Sequence, residues 1–506
     1  MKSVIFFFCS MMFMNLTLAQ GNKLGTFQHS IDIGNPENAG STSYDKNTQT
    51  YTVKGSGYNI WFDRDEFHYA YNNLEGDFIL TANFEFVGKG VEPHRKVGWM
   101  VRESTAEDAI HMSAVYHGDG LTVMQWRVGK GQAMRDPEDQ IFSTKKNVQV
   151  IQLERKEKVF TMRVAYWGES LQEVGSYEMI NMPCEVLAGF FICSHNPEVV
   201  EEAKVWNVRI DKPVPENYNP YEQGFLGSRL EIMNVFNGKR KVVYESDKGF
   251  EAPNWMPDGK FLLFNSNGSL YKIPIEGGEP EKFNTGFADR NNNDHGISFD
   301  GKILAISHHR EGMPGGGSTI YVLPINGGEP EMVTDRTPSY WHGWSADNKE
   351  VVYVAQRDTS IYNIYKKGIK GGQEVQLTFN KSAHVDGPEY TPDGKYIYYN
   401  SSVTGTMQIW RMKPDGSVHQ QITFDENQDW FPHISPDGQW IVFLSFPPEV
   451  FSNDHPAYKR VELKLMPLSG GAPRVIAYLY GGQGTINVPS WSPDSKHIAF
   501  MSNPGR

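Results

Sequence analysis

The chain has 506 residues, 60 acidic against 48 basic, and a formal charge of −12. That balance excludes nucleic acid and anionic membrane as partners held by bulk charge. Aromatics make up 13% of the chain, a content that suits an all-β exported protein meeting sugars, although strands enrich aromatics by themselves.

The N-terminus, "MKSVIFFFCSMMFMNLTLAQ", places one Lys before a short apolar run and small residues before Gln20. This reads as a secretory signal peptide over residues 1–19, cleaved after Ala19. No other segment is long and apolar enough to span a bilayer, so the mature chain is expected in the periplasm or at the cell surface. Cleavage leaves Cys184 and Cys193. Nine residues apart along one strand, they would point to opposite faces, and both read as buried free thiols.

Residues 20–212 carry no repeat. They read as eight or more strands with patches of clear alternation. Phe78, Leu80, Ala82, Phe84 and Phe86 share one face while Thr81, Asn83 and Glu85 take the other. The expectation is a β-sandwich or jelly roll. The phrases "GSGYNIWFDRDEFHYAY", "GDFILTANFEF", "VGWMVRES" and "AGFFICSH…AKVWNVRI" resemble the concanavalin-A-like lectin/glucanase superfamily. The paired strand glutamates of its enzymes are missing, so the resemblance implies binding. Candidate sugar contacts are Trp61, His68, Tyr69, Tyr71, Trp99 and Arg102, with His111, Trp126 and His195. Residues 213–228, rich in Pro, Asn and Gly, read as a linker.

From residue 229 to 506 one phrase recurs six times, from "PNWMPDGKFLLFNS" to "PSWSPDSKHIAFMS". Its turn Asp falls at Asp258, Asp300, Asp347, Asp393, Asp437 and Asp494, at intervals of 42, 47, 46, 44 and 57 residues. A period in the forties built of short strands joined by Asp-Gly turns predicts a β-propeller. The sixth unit stops after two strands, and two unmatched strands precede the first unit at residues 229–246. Pairing the two halves gives six blades and a sealed ring. The phrase resembles the TolB-type six-bladed propellers, which serve several functions on one fold.

Phase then places the function. Residues about five before each turn Asp, and eight or nine after it, lie at the opposite rim. There His295 and His342 stand where the repeat prefers Pro, and His308 and His309 replace the usual Ser and its neighbour. Trp341, His384, Asp386, Glu389, Trp430 and His433 share that rim. Neutral imidazoles beside carboxylates suit acid–base work or a divalent metal of the Mn, Zn, Fe or Ca type. The constellation is similar to that of oligogalacturonate lyases. That similarity makes His295, His308 and His342 metal-ligand candidates, with His309 a further ligand or base candidate and Arg310 or Arg357 the holder of a substrate carboxylate. Their Gln-His-His ligand segment is missing here. No Gly-x-Ser-x-Gly elbow is present, which excludes a propeller-gated peptidase. Two readings stay open: an exported binding protein for a glycan or a cell-envelope protein, and a carbohydrate-cleaving enzyme with catalytic candidates His295, His342, His309 and Arg357.

Overall fold

The computed structural model describes residues 24–505, so the signal peptide expected over residues 1–19 lies outside the described residues. Almost every element is a strand, and no helix among the described residues is long and apolar enough to cross a membrane.

Two seven-stranded antiparallel sheets form the first domain. One runs from His29–Ile33 at one edge to Gln140–Phe142 at the other; the second runs from Gln172–Glu178 to Ser41–Asp45. Alternation explains their packing. Leu80, Ala82 and Phe84 of the strand Phe78–Phe86 meet Val97, Trp99, Phe190 and Val205 in one core between the sheets. On the polar face of that strand Thr81 and Asn83 are buried too, while Glu85 is exposed. Thr81 accepts a hydrogen bond from Gln152 at 3.1 Å, and this face lies against the second domain rather than water.

The outer face of the first sheet is covered by its own loops. Asp65 enters from one of them and bonds both Arg102 and Arg127 at 2.7 Å, with all three side chains fully buried. Burial alone would raise the Asp65 pKa; the two guanidiniums outweigh it and hold the carboxyl below its usual range. Cys193 is buried, as the sequence suggests, but Cys184 is exposed, because it precedes the strand Glu185–Cys193 instead of lying on it.

The propeller has six blades. Five are four-stranded, such as blade two, in which Asn291–Ile297 is innermost, followed by Ile303–His309, Ser318–Pro324 and the two-residue outer strand Glu331–Met332. In the sixth, His497–Ser502 pairs with Ser228–Asn234, which pairs with Arg240–Ser246. The chain therefore seals its own ring, and an edge that would otherwise be open is paired.

The sandwich docks on blades five and six. Glu231, fully buried in the sealing strand, receives Arg209 of the sandwich at 2.5 Å, Arg240 at 2.7 Å and Ser502 at 2.8 Å. Burial alone would raise its pKa; the two guanidiniums hold it well below the usual carboxylate range. Lys212 N–H donates to Pro504 O at 2.7 Å and Val475 N–H to Gly168 O at 3.0 Å. Arg460 reaches Glu154, and Tyr478 OH donates to Glu169 O. The joint is thus largely polar, with Ile79, Tyr458 and Tyr480 as its apolar patch.

Candidate functional site: the propeller mouth

Each inner strand of blades one to five breaks its ladder near its mouth end. In blade two, four residue steps from Asn291 to His295 oppose two steps on the neighbour. The shift is one residue in blade three, between Trp341 and Gly343, and one in blade five, between Trp430 and His433. A bulge re-aims side chains, and in blades two, three and five bulged residues face the channel. Asn292, Asn293, Asp294, His342 and Phe431 all line one cavity of about 200 Å³. Ala252, Gly387 and Phe431 occupy the same phase of three repeats with φ of 57°, 57° and 54°. For Phe431 this is a strained backbone; its N–H is held by Asn400 Oδ1 at 3.1 Å.

The centre of the cavity is an imidazole–carboxylate pair. His342 Nε2 lies 2.9 Å from Asp386 Oδ1, with His384 3.9 Å and His455 4.0 Å from the other oxygen. Burial opposes both charges. Even so, Asp386 and then Asp294 hold His342 above the ordinary imidazole value, and His342 and His384 hold Asp386 well below the carboxylate range. His455 is kept below its ordinary value by burial, despite Asp386. Asp294 behaves in the opposite way to Asp386. Burial drives its pKa up to about 6, aided by the Asp386 charge and only partly countered by His342. Glu251, which accepts from Asn293 Nδ2 at 3.4 Å, is pushed up to about 7 by burial and by Asp294. Tyr340 and Tyr362, centroids 6.0 Å apart, form one wall. Trp430 is fully buried behind it, 4.5 Å from the His455 ring and 5.8 Å from His384.

The structure thus gathers His342, His384 and Asp386 in the cavity and puts Trp430 directly behind them. Other residues picked out by phase lie elsewhere. His295 has the same repeat position as His342, yet the wider bulge of blade two gives the channel to Asp294 and turns His295 inward. It is 0% exposed, neither ring nitrogen meets a partner of normal geometry, and burial lowers its pKa to about 4. His308 accepts from Arg290 N–H at 3.3 Å and packs beside Phe287 and Tyr321. His309 bonds Gly316 O at 2.8 Å on the rim. The expected metal set His295, His308 and His342 is therefore not assembled, and among the described residues no group of three His, Cys, Asp or Glu could hold a metal ion.

Trp341 is a core residue; a Cβ on Gly296 would come within 2.0 Å of its ring. Glu389 and His433 pair at 2.7 Å, and the second His433 nitrogen reaches Ile486 O at 2.6 Å. Arg310 binds Thr319 and the Asp335 carbonyl. Arg357 forms a two-pronged pair with Glu374 at 2.7 and 2.5 Å. Neither arginine is free to hold a substrate carboxylate at the mouth. In the sandwich, Tyr69, Trp99, Arg102, His111 and Trp126 are buried and present no groove to a sugar.

Sequence reasoning missed Asn292, Asn293, Tyr362, Phe431 and His455. His455 comes from the blade-five insertion between the strands Trp440–Phe446 and Lys459–Pro467. Tyr458 accepts from Leu226 N–H at 2.7 Å and Arg460 grips the sandwich. The insertion thus serves both the mouth and the joint.

Comparison with known proteins follows the propeller. Residues 315–453 match the TolB beta propeller domain family. An uncharacterised protein of Agrobacterium fabrum is 48% identical over 279 residues, covering 55% of this chain and 93% of that protein. The chain belongs to the TolB-type propeller family. A solved structure described as a putative TolB from Agrobacterium tumefaciens superposes on this TolB-type propeller with a TM-score of 0.52 at 48% identity, over 54% of this chain and 97% of that one. The Tol-Pal system protein TolB of Francisella tularensis is 24% identical over 286 residues, 54% of this chain. This chain spans 62% of the length of that relative.

Proposed function

We propose that the chain is an exported binding protein that receives a group of a cell-envelope partner, protein or glycan, in the propeller mouth. One observation carries the reading. Side chains from blades two to five and from the blade-five insertion converge on one polar cavity, while at the opposite rim the turn Asp residues are bonded within their own turns. The TolB-type propeller supports a binding role, and the signal-like N-terminus supports export. The sandwich acts as a fixed arm, locked to the ring by the Arg209–Glu231–Arg240 cluster, and the concanavalin-A-like resemblance supports its contributing a second contact with glycan. The carbohydrate-cleaving alternative is disfavoured, since Arg310 and Arg357 are engaged elsewhere.

The test is a comparison of rims. Full-length protein is offered to glycan arrays and to cross-linkable envelope fractions, alongside Asp386→Ala at the mouth and Asp437→Asn at the opposite rim. Binding lost only in the mouth variant supports the proposal. Equal binding by both variants and the parent overturns it.

A further inference from the structure

The mouth has more negative than positive charge to place. Four carboxylates reach it or stand just behind it: Glu251, Asp294, Asp386 and Glu389. Two are matched within the chain, Asp386 by His342 at 2.9 Å and Glu389 by His433 at 2.7 Å. The other two are not. Asp294 is 6% exposed and lines the cavity; one of its oxygens takes a bond from Asn292 at 2.6 Å. Neither Asp294 nor Glu251 has an ion pair within 4.0 Å among the described residues, and no lysine or arginine lines the cavity.

A buried carboxylate without a counter-ion is costly to the fold. In a closed core it would be a defect. In a cavity that opens to solvent it is complementary to a cation brought from outside. The walls narrow the class of cation. Tyr340, Tyr362 and Phe431 line the cavity beside Asp294, and aromatic faces favour organic cations over strongly hydrated ones. The absence of any three-residue metal-holding group among the described residues points the same way. A volume of about 200 Å³ admits a slender group such as the end of an alkylamine or a guanidine. An anion would meet Asp294 and Glu251 unopposed, and a neutral sugar would leave them uncompensated.

We infer that the propeller mouth binds an organic cation, a primary ammonium or guanidinium group, with Asp294 as its direct counter-ion and Glu251 as the second carboxylate behind Asn293. This rests on the mouth being the binding site, as proposed above, and adds what the mouth recognises. The cation could belong to a lysine or arginine side chain of a protein partner or to a free small amine. The recognition chemistry is shared, and the experiment separates the sources.

Full-length protein is titrated calorimetrically with cadaverine, agmatine, an acetylated Gly-Lys-Gly amide and its Gly-Met-Gly counterpart, 1-pentanol, galacturonate and calcium. The expected result is heat from the cationic probes only, weakened at least tenfold in Asp294→Asn and unchanged in Asp437→Asn. Glu251→Gln should weaken binding by a smaller factor. Thermal unfolding and near-UV circular dichroism confirm that each variant is folded. Binding of the lysine peptide without cadaverine or agmatine assigns the cation to a protein side chain, whereas tighter binding of the diamine or agmatine assigns it to a free amine. Amines that bind Asp294→Asn as well as the parent overturn the inference, as does the absence of any amine binding. Galacturonate or calcium binding that is lost in Asp386→Ala, with amines silent, overturns the cation while keeping the mouth. If the rim comparison above also shows no difference between variants, both readings fall together.

Discussion

The two rims of the propeller use carboxylates to opposite ends. On the rim away from the mouth each turn Asp is satisfied locally. Ser298 donates to Asp300 at 2.7 Å, Ser345 to Asp347 at 2.7 Å, Thr391 to Asp393 at 2.7 Å and Ser492 to Asp494 at 2.6 Å. The following backbone N–H adds a second bond, as from Lys302 to Asp300 at 3.2 Å. These bonds favour the ionised form, and the side-chain bond from Ser345 heads the causes that lower the Asp347 pKa. At the mouth, Asp294 and Glu251 are driven the other way by burial. Repetition therefore marks the carboxylates that build the fold, and departure from the repeat marks those that await something else.

The sharpest break of this contrast is Asp386→Ala. It strips a buried imidazole of its partner and should cost about 3–5 kcal/mol, read by chemical unfolding, together with loss of ligand binding. Next is Asp294→Asn, which should stabilise the unliganded protein at pH 7.5 by about 1–3 kcal/mol, the size of a two-unit displacement of a buried carboxyl. The sign follows from the raised pKa. Between about pH 4 and 6 the folded state holds a proton that the unfolded chain has released. This contribution to stability therefore falls as pH rises through that window and is lowest above it. The variant should flatten that slope in unfolding curves taken at several pH values. Ser435→Ala on the far rim removes the hydroxyl that caps Asp437 and should cost about 1 kcal/mol with binding unchanged. Smallest is His295→Leu. It replaces an unbonded buried imidazole by an apolar group of similar size, so stability should stay within about 1 kcal/mol. Binding should also persist.

Much of the architecture was legible because it repeats. Six turn Asp residues, recurring every 42 to 57 residues, disclose six hairpins, and the two orphan strands at residues 229–246 disclose the closure. The rim at which the candidate cavity opens was legible as well, since His342, His384 and Asp386 break the pattern there and line it. What the sequence could not show was the bulges. A shift of two residues in blade two hands the channel from His295 to Asp294, and nothing in "NNNDHGI" announces it. Nor does the sequence show how ions are spent. Arg310 and Arg357 look available until Thr319 and Glu374 are found beside them. His455 was hidden for another reason: it belongs to an insertion with no phase to compare.

The clasp at blade six has a kinetic side. The strand Ser228–Asn234 pairs locally with Arg240–Ser246 but fills its second edge only when His497–Ser502 is in place, more than 250 residues later in the chain. Pairings that distant form late and slowly. Until then the hairpin of Ser228–Asn234 and Arg240–Ser246 has an open edge and Glu231 lacks Ser502, so the ring stays unsealed until the last strand is delivered. Because Arg209 anchors the sandwich to that same Glu231, the final step of ring assembly is also the step that fixes the two domains to each other, and a chain cut short by even its last strand should fail at both.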